Sequence, residues 1–170
     1  DYKVTGVQTC ALPISWFDTN GWSAGSDWRG NGEDDGTTIG SLQFKGSVRP
    51  RDDLELSLIE RYTHNRSDFD AFVGGDRRPV LDSDDRADNR QNLLRLQGRL
   101  SLFGGAWEHL LGAARYDLDS KTETAGVETF DSTSHSNQID YQSNYFLSAP
   151  GTEHTLTFLV KDKQDEARNT

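Results

Sequence analysis

Acidic residues cluster in two stretches of the sequence that show neither helical nor strand periodicity. These stretches contain Asp34 and Asp35, and then Asp82, Asp84, Asp85 and Asp88. Carboxylate oxygens are ligands that Ca²⁺ prefers, so a calcium site is one prediction for either stretch. Neither stretch fits the EF-hand pattern with its distant glutamate, and solvated acidic loops account for the same residues without a metal. Both interpretations stay open.

Basic residues recur on one side of the alternating segments described below. They are Lys45, Arg61, Arg95, Arg99 and Arg115. Guanidinium groups bind carboxylates and phosphates through paired hydrogen bonds, so this row could contact an anionic ligand. The alternative is that these charges only line a wetted polar surface.

One motif suggests covalent catalysis. GWSAG, residues 21–25, matches the G-x-S-x-G nucleophile elbow and would make Ser23 a hydrolase nucleophile. The elbow lies between a buried strand and a helix, whereas the GSDWRGNGEDDG that follows cannot start a helix. The four histidines are scattered without the spacing of metal ligands. The sequence therefore predicts that the protein is not an enzyme.

The longest alternating segment is DDLELSLIERYTHNRSDFD, residues 52–70. Leu54, Leu56 and Leu58 alternate with other residues, and the alternation continues past Tyr62. This period-two spacing predicts a β-strand with two different faces. Strands of soluble domains usually stop after about five or six residues, whereas a longer strand with one apolar face is typical of an outer-membrane wall. We therefore expect strands of about nine residues or more.

Further segments repeat the pattern, at residues 38–48, 94–102, 108–118, 138–147 and 155–161. The facing of the segment at 108–118 is ambiguous. There we expect the set that contains Tyr116 to face outward, because Arg115 then lies in water. The remaining members of that outward set are Leu110, Gly112 and Ala114.

The connections between these segments are expected to alternate in length. Short turns are predicted at residues 49–52, 103–107 and 148–153, and long polar loops at 73–91 and 119–136. In outer-membrane barrels the periplasmic turns are short and the extracellular loops long. The sequence thus predicts an all-β fold, an antiparallel up-and-down meander that forms an open, curled part of a large outer-membrane β-barrel.

The composition fits a barrel wall and excludes other classes. Hydrophobic residues make up only 33% of the chain and the formal net charge is −10, with a mean hydropathy of −0.77. No apolar run approaches the roughly 18 residues of a spanning helix, and so acidic a chain is a poor partner for nucleic acid. A barrel wall tolerates this composition, because only every second strand residue faces lipid.

Residues 1–15, DYKVTGVQTCALPIS, differ from the rest of the chain. They resemble a translated sequencing adapter that was read through in frame, and we expect them to be an artefact outside the fold. The alternative is a short apolar strand that ends at Pro13. Excluding the segment removes Cys10, the only cysteine.

From residue 16 onward the chain resembles the TonB-dependent outer-membrane receptors, in particular the group of cobalamin and siderophore receptors. The likeness rests on WFDTNGW and GEDDG, then DDLELSLIERYTHNRSDFD, then GGAWEHLLGAARYDLDS, in that order. It implies about six to seven strands of a barrel of about 22, without the plug domain.

This resemblance implies a function and partners. The expected function is capture of a scarce metal chelate or cobalamin at the cell outer membrane, followed by import with energy from the TonB complex. The expected partners are lipid, the plug and the remaining strands, and the basic row would contact the ligand or plug carboxylates. The alternatives are a soluble β-sandwich that binds carbohydrate through Trp22 and Trp28, and a passive porin.

Glu60 conflicts with the pattern, because the alternation from Leu58 to Tyr62 directs it toward lipid. A charge at the bilayer midplane costs on the order of a few kcal/mol. Either a bulge shifts the register, or Glu60 lies near the membrane interface. Aromatic residues expected in an interfacial girdle are Tyr62, Tyr116, Tyr141 and Trp107.

Overall fold

A computed structural model describes residues 7–21, 35–70 and 85–169, which form a single antiparallel sheet. Its strands are β1 (Val7–Ala11), β2 (Ile14–Thr19), β3 (Thr37–Arg51), β4 (Leu54–Phe69), β5 (Asp85–Leu102), β6 (Trp107–Thr124), β7 (Val127–Ala149) and β8 (Thr152–Asn169). Within these three ranges, no helix is long and apolar enough to cross a membrane.

The sheet is an open up-and-down meander, as the sequence predicted. Each strand from β3 to β8 pairs with the next one along the chain. Strands β1 and β2 both pair with β3 and act as one edge strand that is interrupted at Pro13. The carbonyl of Pro13 still accepts a hydrogen bond from the Gln43 amide at 3.0 Å. Proline has no amide to donate, so it is tolerated at an edge.

The strands from β3 to β8 are long, between 15 and 23 residues each. The expectation of about nine residues or more is therefore confirmed. Two packed sheets of short strands, which the soluble sandwich requires, do not occur in the part of the chain that the structure describes.

Continuous registers give the sheet two faces. Leu58 pairs with Gly46 on one side and with Leu96 on the other, and cross-strand partners share a face. We call this the leucine face, and the opposite one, which carries Arg61 and Arg95, the polar face. The alternation predicted for β3, β4, β5, β7 and β8 is confirmed.

The predicted facing of β6 is wrong. Leu102 pairs with Trp107, so the short turn at Phe103–Gly105 fixes the register of β6 against β5. Arg115 consequently pairs with Leu94 on the leucine face, while Tyr116 lies on the polar face. Arg115 therefore leaves the row of basic residues on the polar face, and Tyr116 leaves the outward girdle.

The long polar loop predicted at residues 119–136 is also wrong. Strand β6 continues to Thr124, and a two-residue turn at Ala125 and Gly126 leads directly into β7. Both turn residues have positive φ, 50° and 75°, the geometry that tight hairpins require. Polar threonines and serines in this region extend the strands because threonine has a high β-propensity.

The register of β4 bears on the two explanations offered for Glu60. No bulge occurs at Glu60, since β4 pairs with β5 without a register shift from Leu54 to Phe69. Of the two explanations for Glu60, the interfacial one remains.

Strand β1, Val7–Ala11, lies inside the segment that resembles an adapter and pairs with β3. This pairing agrees with the alternative of a short strand before Pro13. The artificial origin of that segment stays a prediction.

Candidate functional site

Apolar side chains form a continuous band across the leucine face. The band lies in the half of the sheet next to the turns that join β3 to β4, β5 to β6 and β7 to β8. The band runs over β3 to β8 and consists of Leu42, Phe44, Val48, Leu54, Leu56, Leu58, Leu94, Leu96, Leu100, Trp107, Leu111, Ala113, Ile139, Tyr141, Tyr145, Leu156, Phe158 and Val160. We call it the apolar band. Beyond it, toward the ends at Phe69 and Thr124, the same face is polar.

Within residues 7–21, 35–70 and 85–169, no other part of the chain packs on this band. Among the described residues no hydrophobic side chain is buried, and Leu96, Leu111 and Phe158 are each at least half exposed. The accessible surface is 12341 Å², whereas a compact protein of 19.0 kDa exposes about 8,400 Å². Monomeric soluble proteins rarely expose so large an apolar surface. The band therefore needs a covering.

Polar atoms inside the band bond to each other. The indole Nε1 of Trp107 donates to the Ser143 hydroxyl at 2.8 Å, and Nδ1 of His109 lies 2.8 Å from the Tyr141 hydroxyl. The ring of Trp107 also meets the ring of Tyr145 edge-on, with centroids 6.4 Å apart. Internal pairing of this kind lets polar atoms face an apolar environment at small cost.

On the polar face, an ion pair crosses three strands above a glycine. Both guanidinium Nη atoms of Arg95 donate to the carboxylate of Asp140 at 2.9 Å. Arg95 lies on β5 and Asp140 on β7, and the buried Gly112 of β6 lies between them. A Cβ at Gly112 would be 2.5 Å from Arg95 Nη2 and 2.6 Å from Asp140 Oδ2. The missing side chain is what lets the two charges meet.

A second network of hydrogen-bonded polar side chains extends across the polar face from β5 to β8. Arg99 forms an ion pair with Glu108, and the amide of Asn144 donates to the other carboxylate oxygen of Glu108 at 3.2 Å. The hydroxyl of Thr157 then donates to Asn144 Oδ1 at 3.0 Å. Glu108 and Asn144 are buried, so this network satisfies polar groups that would otherwise be costly.

The polar face also carries an open groove of about 520 Å³. Tyr116, Gln138 and Lys163 line it, together with Asp165. A hydrogen bond from Lys163, followed by one from Ser136, lowers the pKa of Asp165. The groove offers a phenol, an amide and a paired charge, which can orient a polar ligand.

In the outer half of the sheet, ion pairs occupy the leucine face. Asp117 accepts hydrogen bonds from Arg115 and lies 2.6 Å from His135 Nδ1. The bond from Arg115, and after it the one from His135, lower the pKa of Asp117. Further along the hairpin, Lys121 pairs with Glu128 and Asp131, each at 3.3 Å, and hydrogen bonding to them raises the pKa of Lys121.

The structure separates the predicted basic row into two groups. Lys45, Arg61, Arg95 and Arg99 lie on the polar face, as expected, and Arg61 donates to Gln43 Oε1 at 3.1 Å. Arg115 lies on the other face. The sequence did not identify the partners Glu108, Asp140 and Asn144, nor the role of Gly112. Only the register could have identified them: Glu108 lies diagonal to Arg99 on the neighbouring strand, and Asp140 and Asn144 lie on the same face one strand further, on β7.

The predicted calcium residues do not form a site in the part that the structure describes. Asp34, Asp82 and Asp84 lie outside the described residues. Asp85 is buried and accepts a hydrogen bond from the Ala125 amide at 3.2 Å, and Asp88 lies 2.9 Å from His64 Nε2. Within ranges 7–21, 35–70 and 85–169, no group of three or more acidic, histidine or cysteine residues, Asp35 included, could hold a metal ion.

Comparison with known proteins gave no relatives. No family model matches the chain, no curated protein matches its sequence and no solved structure matches its fold.

Proposed function

We propose that this chain is part of the wall of an outer-membrane β-barrel, and that its apolar band faces lipid. The observation that carries the proposal is the exposed band itself, on one face of a single sheet of long strands. In β4 the stretch from Leu54 to Tyr62, which pairs with Leu42 of the band, covers about 26 Å at roughly 3.3 Å per residue. With the usual strand tilt of roughly 40°, its height along the membrane normal is about 20 Å, near the apolar thickness of about 25 Å in outer-membrane barrels.

The polar face then lines the barrel lumen. Its ion pairs and amides suit water, and two of its arginines, Arg95 and Arg99, are paired with Asp140 and Glu108. The turns that join β3 to β4, β5 to β6 and β7 to β8 face the periplasm, because periplasmic turns are short in such barrels. The opposite end of the sheet, with the longer β4–β5 connection and the β6–β7 hairpin, faces outward. Glu60 lies in one cross-strand row with Phe44, Leu94 and Arg115, and a row with two charges fits a position near the membrane interface.

The barrel we propose is a TonB-dependent receptor that captures a metal chelate or cobalamin and imports it with energy from the TonB complex. The order of the WFDTNGW, GEDDG and GGAWEHLLGAARYDLDS stretches supports the receptor over a passive porin, which would share the wall. In this proposal the groove at Tyr116 and Lys163 belongs to the path of the ligand. The chemistry is non-covalent, and no residue acts as a catalyst.

Quenching by brominated lipid tests the position of the band. All four tryptophans are replaced by phenylalanine, and a single tryptophan is then introduced as Tyr141→Trp or as Gln142→Trp. These neighbours lie at the same depth on opposite faces. In bromolipid vesicles we expect strong quenching at position 141 and weak quenching at 142. Acrylamide, which quenches from water, should show the reverse order. Equal quenching at the two positions would contradict the proposal.

A further inference from the structure

The edge of the leucine face carries a notch between an indole and an imidazole. Trp16 of β2 pairs with Gly40 of β3, which pairs with His64 of β4. Because Gly40 has no side chain, the Trp16 indole approaches its backbone, and both rings line the notch. A Cβ at Gly40 would be 3.0 Å from Trp16 Cζ3, so the indole lies over the glycine backbone. The indole still exposes 72% of its surface.

Polar side chains surround this notch in the next row. Asp18, Thr38 and Arg66 are cross-strand neighbours on the same face, and the Thr38 hydroxyl donates to Asp18 Oδ1 at 2.7 Å. Together with Asp68 and Gly36 they enclose a groove of about 550 Å³. We call this the Trp16 groove. Its volume suits a ligand of one or two rings.

We propose that the Trp16 groove binds a neutral hexopyranose. An exposed indole offers a flat apolar face for the C–H groups of a sugar ring, while Asp18 accepts and Arg66 donates hydrogen bonds to hydroxyls. The charges favour a neutral sugar over an acidic one. Asp68 is paired with Arg86 at 2.9 Å and lies 4.0 Å from Arg66 Nε. The guanidinium groups of Arg66 and Arg86 thus balance the carboxylates of Asp18 and Asp68.

The groove lies directly beyond the apolar band, since Leu42 and Tyr62 form the row below Gly40 and His64. If the band faces lipid, which is the function proposed above, the groove sits at the level of lipid headgroups. The same sugar chemistry can therefore come from a free glycan or from a glycolipid headgroup. The groove itself is defined by the sheet alone.

Saturation-transfer NMR tests the groove on the full chain in micelles of a sugar-free detergent. The probes are methyl α-glucopyranoside, methyl α-mannopyranoside and methyl α-galactopyranoside. We expect transfer to the ring protons of at least one of them, and Trp16→Ala should weaken binding at least about tenfold. Trp107→Ala removes another exposed tryptophan from the same face and should leave binding unchanged. If Trp16→Ala lowers the strand content by circular dichroism, Asp18→Asn takes its place and should also weaken binding.

A second arm distinguishes the two sources of sugar. The same chain is reconstituted in phosphatidylcholine vesicles with or without monoglucosyl diacylglycerol, and fluorescence is read from Trp16 as the only tryptophan. A response to methyl glycosides assigns a free glycan, and a response to the glycolipid alone assigns a headgroup; both support the groove. No response in either arm, or equal loss in Trp16→Ala and Trp107→Ala, would overturn it. Failure of the membrane proposal is read separately, from bromolipid quenching at position 141.

Discussion

The two halves of the long strands share one continuous hydrogen-bonded ladder and differ in what their leucine face carries. Next to the turns that join β3 to β4, β5 to β6 and β7 to β8, that face bears the apolar band, whereas farther out it bears polar contacts such as His64 with Asp88 and the ion pair of Arg115 with Asp117. Backbone pairing is uninterrupted between them, for example along β5 from Asp88 to Leu100. The backbone pairing is thus the same in both halves. The halves differ in the polarity of the side chains on the leucine face.

The polar face does not show this change. It carries ion pairs in the band half, such as Arg95 with Asp140, and polar side chains such as Ser134 and Lys163 farther out. A water-filled interior on one side, and lipid followed by water on the other, would produce this difference. The boundary on the leucine face falls between Leu94 and Asn92 of β5, two residues apart. Substitutions on each side of it can break or sharpen the comparison.

The largest effect is expected from a charge in the middle of the band. Leu96→Arg places a guanidinium on the leucine face, where Leu96 is 54% exposed. If that face contacts lipid, the substitution should lower the free energy of unfolding by roughly 2–4 kcal/mol. The measurement is urea unfolding of the chain reconstituted in vesicles, followed by tryptophan fluorescence.

Two matched variants control for the charge itself. Gln97→Arg puts the same group on the polar face of the same strand, and Thr133→Arg puts it on the leucine face in the outer half. Both should change the free energy of unfolding by less than about 0.5 kcal/mol. Equal losses in Leu96→Arg and Thr133→Arg would remove the distinction between the halves.

The next effect concerns the ion pair on the polar face. Gly112→Ala brings a Cβ within 2.6 Å of both Arg95 and Asp140, so at least one partner must move. We expect a loss of about 1–2 kcal/mol in the free energy of unfolding, because a partly buried bidentate pair is broken. Gly98→Ala is the control, since its Cβ would meet Leu56 at an ordinary 3.5 Å.

A double-mutant cycle identifies the cause of that loss. In an Asp140→Ala background the pair is already absent, so Gly112→Ala should cost much less than in the unmodified chain. An undiminished cost would show that Gly112 acts through the backbone and not through the ion pair.

Much of the fold was predictable because strand faces follow from alternation alone. Leu54 to Leu58 and Leu94 to Leu100 showed their faces directly, since each has one apolar and one polar set. In β6 both sets contain apolar residues, and only the Phe103–Gly105 turn, which fixes the pairing of Trp107, decides the facing. The site was less predictable, because the partners of Arg95 and Arg99 depend on register across two or three strands.

The tight hairpin at Ala125 shows the same limit. Its sequence, ETAGVE, has glycine at the second turn position, but alanine at the first is unusual for positive φ. A polar composition therefore suggested a loop, whereas cross-strand pairing such as Lys121 with Asp131 continues almost to the turn. Local composition does not distinguish a loop from a strand that is polar on both faces.

Glu60 lies one row inside the outer limit of the band in β4, and its substitution should have a smaller effect. It is exposed and pairs with Phe44 and Leu94. At an interface, Glu60→Leu should change the free energy of unfolding by less than about 1 kcal/mol. Leu58→Glu, two residues deeper, should cost roughly 2 kcal/mol in the same vesicles. A stabilisation by Glu60→Leu as large as that cost would mean that the side chain at position 60 contacts the lipid interior and not the interface.

The smallest effect should appear in the outer half, as a dependence on pH. Hydrogen bonds from Arg115 and then His135 lower the pKa of Asp117. A carboxyl with a lowered pKa stabilises the fold above its unfolded value of about 3.9, and this contribution is lost as the pH falls through the lower folded value. Asp117→Asn should therefore reduce stability at neutral pH, and the difference from the unmodified chain should shrink progressively as the pH falls below the unfolded value of about 3.9.

Urea unfolding in micelles at a series of pH values measures this difference. Asp119→Asn, two residues along the same strand on the same face, serves as the control. A pH-independent difference for Asp117→Asn would mean that the side chain acts by its shape and not by its charge. In that case the outer half would resemble the apolar band, where packing and not ionisation carries the stability, and the contrast between the two halves would rest on the leucine face's apolar residues alone.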